Sequence, residues 1–242
     1  MEGVEKMLKK MTLSATERKG VRFGKKGGLG AEADPQAIGK LLSDKPASAD
    51  ILANTLGRVW CPIKGLLGKD LGKNRFLFTF RQPSRVRKAM YEGPWMFNNE
   101  LIIMREIDPR RTLDEMEFKV VPFWIRIHNL PMGKMNVESG RLIGDEIGEA
   151  LVVDVEEDGT AYGQFLRVKV CIDITKPLMR GILIEEEEVQ EGTEYVEIEE
   201  DDDSGMKIIR MFRWCPFQYE FLPDLCYACG IIGHVEKSYL YS

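Results

Sequence analysis

The sequence predicts an α+β fold. Three observations carry that expectation. From residue 36 onward, short apolar stretches with strand alternation are interleaved with stretches at helical spacing. Glycine, proline and asparagine turn signals punctuate them at short intervals. Between residues 36 and 106 the elements come in the order β-α-β-β-α-β, the split βαβ arrangement.

"AIGKLLS" is the first expected strand. "SADILANTLGRVW" follows as a helix with Ser48 as N-cap and Ile51, Leu52, Leu56, Val59 and Trp60 on one stripe. "IKGLLGKDL" and "NRFLFTF" read as a hairpin pair. "QPSRVRKAMYEG" reads as a second helix that opens at Pro83 and stops by Gly93, because proline suits the first helical position and glycine the exit. "WMFNNELIIMREI" is a strand pair turning at Asn98-Asn99, residues that tolerate a left-handed backbone. A second unit starts with the strand "FWIRIHNLP" and the helix "NVESGRLIGDEIG", with Val137, Leu142, Ile143 and Ile147 on one side. "EALVVDVEE" and "FLRVKVCIDIT" are strands, the latter alternating through Leu166, Val168, Val170, Ile172 and Ile174. "GILIEEEEV", "TEYVEIEE" and "KIIRMFRW" read as an antiparallel meander. The expected organisation is a basic glycine-rich leader at 1–34, with a short helix near Val4–Met11, and a domain at 35–108. A linker at 109–118, a second domain at 119–221 and a tail at 222–242 complete it.

The net charge of −5 hides an asymmetry. Residues 181–206 carry twelve carboxylates and no lysine or arginine, so the rest of the chain is at +7. Residues 36–111 hold fourteen basic and seven acidic side chains. A basic body suits a polyanionic partner. The phosphate-contact candidates are Lys64, Lys69, Lys73, Arg75, Arg81, Arg85, Arg87 and Lys88. No apolar run approaches the roughly 20 residues a membrane span needs. The leader lacks a secretion-signal core, so a nuclear or cytoplasmic protein with no membrane partner is expected. Of five cysteines, Cys61, Cys171 and Cys215 are far apart and make no disulfide framework. Two histidines, neither in a nucleophile pattern, and no G-x4-G-K-[ST] phosphate loop argue against an enzyme or a small-molecule substrate.

The split βαβ order is that of ferredoxin-like and RNA-recognition (RRM-like) domains, among many unrelated proteins. RNA-recognition folds stack bases on aromatics of their two central strands. "KNRFLFTF" falls into the register of the central-strand pattern, but alternation sends Phe76, Phe78 and Phe80 to the core and leaves Arg75, Leu77 and Thr79 on an exposed face. "IRIHNL" resembles the companion pattern, with Arg126 where an aromatic would face RNA. A guanidinium plane stacks on bases and pairs with phosphate. His128 is expected to be a structural hydrogen-bonding residue.

The chain closes on "LPDLCYACGIIGHVEKSYLYS". Cys226, Cys229 and His234 have the C-x2-C-x4-H spacing of a zinc knuckle, and the position of the fourth ligand is Tyr239. A phenol with a pKa near 10 is a poor zinc ligand. Three arrangements stay open: zinc closed by water, zinc closed by another residue such as Cys215, or a turn without metal. Tyr227 beside the ligands is a base-stacking candidate, and Ile231 and Ile232 either contact bases or pack the turn on "FQYEFLP".

"RVWCPIKGL", "NRFLFTF" and "EGPWMFNNELIIMREIDP" resemble the plant domain of unknown function found in gag-like, first-reading-frame proteins of LINE-type retrotransposons. "FWIRIHNLPMGKMN", "FLRVKVCIDITKPLMRGI" and "YEFLPDLCYACGIIGH" resemble the segment that follows it in that family. The resemblance implies a nucleic-acid-binding protein with a CCHC-type zinc finger, here lacking the last cysteine. The expected function is non-enzymatic, weakly sequence-selective binding of RNA or single-stranded DNA. The alternative is a protein-interaction or self-association module in which the acidic segment 185–203 meets a basic partner.

Overall fold

A computed structural model describes residues 12, 14–21, 34–63, 65–185, 195–201 and 207–234. The expected helix near Val4–Met11 and Lys64 lie outside the described residues. Residues 1–33 form a unit separate from 34–242, and its described part contains one 3-10 turn, Glu17–Lys19.

The larger unit is a mixed α+β structure with two antiparallel sheets and, among the described residues, three α-helices. The first sheet contains β1 (Gln36–Leu41), β2 (Leu66–Asp70), β3 (Arg75–Phe80), β4 (Trp95–Phe97) and β5 (Glu100–Glu106), ordered β2-β3-β1-β5-β4. Helices α1 (Ala49–Trp60) and α2 (Pro83–Tyr91) connect them. Asn98 and Asn99, both at positive φ, close the β4–β5 hairpin where the sequence places it. Phe76, Phe78 and Phe80 point to one face and are at most 1% exposed, packed with Leu52, Leu56 and Trp60 of α1 and Ala89 of α2. Ile51 and Val59 do not join them. They are 56% and 47% exposed, because the helix needs only the Leu52–Leu56–Trp60 stripe to cover the phenylalanines.

The second sheet contains β6 (Val120–His128), β7 (Glu149–Asp154), β8 (Phe165–Asp173), β10 (Val196–Asp201) and β11 (Lys207–Tyr219), ordered β10-β11-β6-β8-β7, with β9 (Gly181–Glu185) also on β11. A simple meander would place β10 between β9 and β11. Instead, both β9 and β10 pair with the 13-residue β11, which also reaches β6. Helix α3 (Val137–Ile147), capped by the Asn136 side chain accepting from Ser139 N–H at 2.9 Å, lies on one face. Its contact surface is Gly140, Ile143 and Gly144, while Leu142 is 66% exposed, contrary to the expected stripe. The alternating side chains of β8 hold, with Leu166, Val168, Val170 and Ile172 at 3% exposure or less.

The face of the first sheet opposite its helices is not open. Ile38, Leu101 and Ile103 are buried in one core with Phe118, Phe123, Ile125 and Val168, and Leu77 packs against them. Arg75, expected to be exposed, keeps only 12% of its side-chain surface and donates to Leu113 O and Asp114 Oδ1. Strand alternation identifies two faces without saying what covers the second. Here the chain covers much of it itself.

Candidate metal and nucleic-acid sites

β11 leads through Leu222-Pro223 into a tight turn. Gly230 N–H donates to Cys226 O at 2.7 Å, Cys226 N–H to Ile231 O, and Gly233 N–H to Asp224 O. Gly230 and Gly233 have φ of +73° and +98°, which a side chain would disfavour, so the chain can double back on itself. The result brings the donor atoms of Cys226, Cys229 and His234 within 4.8 Å of one another, with Cys229 Sγ 3.4 Å from His234 Nε2. These three residues lie close enough to hold a metal ion. Two thiols and an imidazole are the donor set zinc prefers, which makes the residues present a fit for it. Position 239 lies outside the described residues. Cys215 belongs elsewhere: its Sγ donates to Asn129 O at 3.4 Å inside the core.

The turn does not hang free. Ile232 is 5% exposed within the main core, Leu178 N–H donates to Gly230 O at 2.9 Å, and Leu225 bridges to Ile232. Ile232 is therefore an anchor, whereas Tyr227 is 90% exposed.

The outer face of the second sheet, away from α3, carries a different set. Trp124 opposes Lys169, Arg126 opposes Arg167, and His128 opposes Phe165 across the β6–β8 ladder. The guanidinium of Arg167 lies 3.8 Å over the Trp124 ring and that of Arg126 lies 4.7 Å over Phe165. Glu220 accepts from Arg126 Nε at 2.8 Å and from Arg167 at 3.0 and 2.9 Å, and Asp154 accepts from Arg167 at 3.0 Å. The carboxyl of Glu220 is held below the usual carboxylate range, chiefly by the Arg167 hydrogen bonds. His128 Nε2 sits 3.1 Å from Gln218 Oε1, as a structural residue would. Of this face, the sequence pointed to Arg126 as a nucleic-acid contact and to His128 as a structural residue, and to none of the others. The signal was available in "FLRVK", where alternation puts Phe165, Arg167 and Lys169 on one side.

The basic candidates of the first half are spread along β2, β3 and α2. Arg75 starts β3 and Arg81 follows its end, about 20 Å apart at strand rise. Lys73 and Arg75 share Asp114, and Lys88 lies 3.9 Å from Glu92. Leu113 and Asp114 belong to the expected linker, and their contacts with Arg75 and Lys73 fasten that point of the linker to the first sheet. The sequence comparison finds a family match that ends within this same segment. Residues 37–115 form a domain of unknown function, DUF4283. DUF4283 domains are a family common in plant proteins, and the matched span runs from β1 to just past Asp114. No curated protein and no solved structure matches the chain.

Within the DUF4283 domain, Lys69, Arg81, Arg85 and Arg87 make no ion pair with other described residues; Lys69, Arg81 and Arg87 are exposed and Arg85 is half-buried. Arg81 and Arg85 line a cavity of about 100 Å³ with Cys61, Pro62, Ile63 and Gln82. Burial pushes the Cys61 thiol up, as it does Cys171, so neither is primed as a nucleophile. Among the described residues no helix is long and apolar enough to cross a membrane.

Proposed function

We propose that this chain is a non-enzymatic, gag-like nucleic-acid-binding protein of retrotransposon origin. It binds single-stranded RNA or DNA with weak sequence selectivity and holds zinc at Cys226, Cys229 and His234. The observation that carries the proposal is the closed Cys-Cys-His turn, whose donor atoms converge within 4.8 Å while Tyr227 beside them is 90% exposed. A bound zinc ion would fix the turn and present Tyr227 as a platform for an unpaired base. The DUF4283 match supports the family reading. The order β2-β3-β1-β5 with both helices on one face supports a ferredoxin-like, RRM-like split arrangement for that domain. Its uncommitted cations, Lys69, Arg81, Arg85 and Arg87, supply phosphate contacts at its rim.

Two measurements on the purified chain test this. Metal analysis should find near one equivalent of zinc, lost in Cys226→Ser and His234→Ala. Binding of a labelled oligonucleotide should weaken steeply with salt, log K falling by about 0.7 per log salt for each phosphate neutralised on a single strand. A metal-free protein whose fold ignores chelators removes zinc. Absence of salt-dependent binding to RNA and DNA removes the nucleic acid.

A further inference from the structure

We infer that the cavity between the end of α1 and the start of α2 binds a phosphate monoester, the terminal phosphate of a nucleic-acid strand, between Arg81 and Arg85. The inference rests on the nucleic-acid reading above. It gives two of that reading's cations a defined task, which is to hold the end of a strand and not its length.

The placement starts from two buried rings. Trp60 ends α1 and Phe80 ends β3; both are fully buried, with ring centroids 5.9 Å apart. The residues that follow them, Cys61 and Arg81, are therefore held on neighbouring segments. After Cys61 the chain turns, and Gly65 N–H donates to Cys61 O at 3.0 Å. After Arg81 it enters α2, whose first turn carries Arg85. Between the two segments lies a cavity of about 100 Å³, lined by Cys61, Pro62, Ile63, Arg81, Gln82 and Arg85. A water molecule takes about 30 Å³ in the liquid. The space is enough for a phosphate group and too small for a nucleoside.

Charge points to the class of ligand. Arg81 and Arg85 both line the cavity, and neither makes an ion pair with a described residue. No acid lines the cavity, and the first turn of α2 has none. The titratable neighbour of Arg85 is the Cys61 thiol, 5% exposed. Burial raises its pKa, so it stays a neutral S–H and supplies no counter-charge. Two guanidiniums thus share one small concave space without an anion. Their planar forks match pairs of phosphate oxygens. A phosphodiester inside a strand brings one charge and two esters that must both leave the cavity. A terminal phosphate brings about 1.5 to 2 negative charges at pH 7 and a single ester, which suits two arginines in a small space. Lys69 and Arg87, exposed and outside the cavity, remain for the other phosphates of the strand.

The test uses the full chain and fluorescein-labelled 12-mers of oligouridylate and oligothymidylate, titrated by anisotropy at fixed ionic strength. Each strand is compared with a phosphate or a hydroxyl at its unlabelled end, once for the 5′ end and once for the 3′ end. At one of the two ends the phosphate should tighten binding at least about tenfold, the contribution of one charge-assisted hydrogen bond. Arg81→Met and Arg85→Met should bring that ratio toward one, with the melting temperature as the folding control. Arg87→Met, outside the cavity, should weaken both strands alike and keep the ratio. Inorganic phosphate replacing chloride should abolish the ratio on the unmutated chain, a readout that needs no variant. Equal affinity for phosphate and hydroxyl at both ends overturns the inference and leaves nucleic-acid binding standing. If no oligonucleotide binds, both fall. In that case a melting temperature raised by inorganic phosphate in the unmutated chain, and not in Arg85→Met, reassigns the cavity to free phosphate. Tighter binding of a phosphoserine peptide than of any phosphorylated strand makes the ligand a phosphoprotein and also overturns the inference.

Discussion

Glu220 shows how much can depend on one carboxylate. It is 10% exposed and accepts three hydrogen bonds from two guanidiniums, each of which also lies over an aromatic ring. Without it Arg126 and Arg167 would sit side by side with Asp154 as the remaining counter-charge, and both stacks would loosen. Charge-assisted hydrogen bonds of this kind contribute roughly 1–3 kcal/mol. Glu220→Ala should therefore lower the urea midpoint by an amount equivalent to roughly 1–3 kcal/mol. The sign of the pH dependence follows from the depressed carboxyl pKa. A group that ionises more easily in the folded state contributes fully above its unfolded value, near 4.3, and loses that contribution as pH falls through the lower folded value. The gap between the unmutated chain and Glu220→Gln should be present at pH 7 and shrink below pH 4. A gap that is constant over that range would show that the carboxylate's ionisation is not what holds the arginines.

Helix α3 makes the corresponding case for an element, and it shows which parts of the fold could be read in advance. Its large apolar residues predicted a stripe through Leu142, yet the face it lays on the sheet is built from Gly140, Ile143 and Gly144. A Cβ on Gly140 would sit 2.5 Å from Val153 Cγ1 and 3.0 Å from its Cγ2, so the glycines set how close the helix comes. Alanine gains up to about 1 kcal/mol in helix propensity. Overpacking against a branched side chain costs about 1–3 kcal/mol. The clash should win: Gly140→Ala lowers the melting temperature, whereas Leu142→Ala, at an exposed position, leaves it nearly unchanged. Periodicity counts bulk, and a contact made of missing side chains leaves no trace in it. Local chemistry was legible: the Asn98-Asn99 turn, the Pro83 helix start, the alternation of β8 and the Cys-x2-Cys-x4-His turn all lie within a few residues of their causes. The cover over Ile38, Leu101 and Ile103, the central place of β11, and the Trp124–Phe165 strip were not. Each depends on register between segments about 40 to 90 residues apart, which no window on the sequence contains.

At the scale of the larger unit, the Cys-Cys-His turn and the sheets it packs on are one mechanical system. An autonomous zinc knuckle has too little core of its own and folds with its metal, leaving its neighbours indifferent. Here Ile232 inserts into the core that also holds Ile38, Leu101 and Phe123, and Gly230 O accepts from Leu178 N–H, so ordering the turn also orders the surface it covers. A ligand that binds only the folded state stabilises it in proportion to the logarithm of its saturation, about 4 kcal/mol at a thousandfold excess over Kd. Zinc held at Cys226, Cys229 and His234 should therefore raise the melting temperature of the whole larger unit, and a chelator should lower it by several degrees. Ile232→Ser removes the anchor while keeping all three ligands. In that variant the melting temperature starts lower, zinc still binds, and the chelator-induced shift shrinks toward zero, because the turn can then order without the body. A chelator shift of equal size in both proteins would mean that the metal acts on the body by a route other than Ile232.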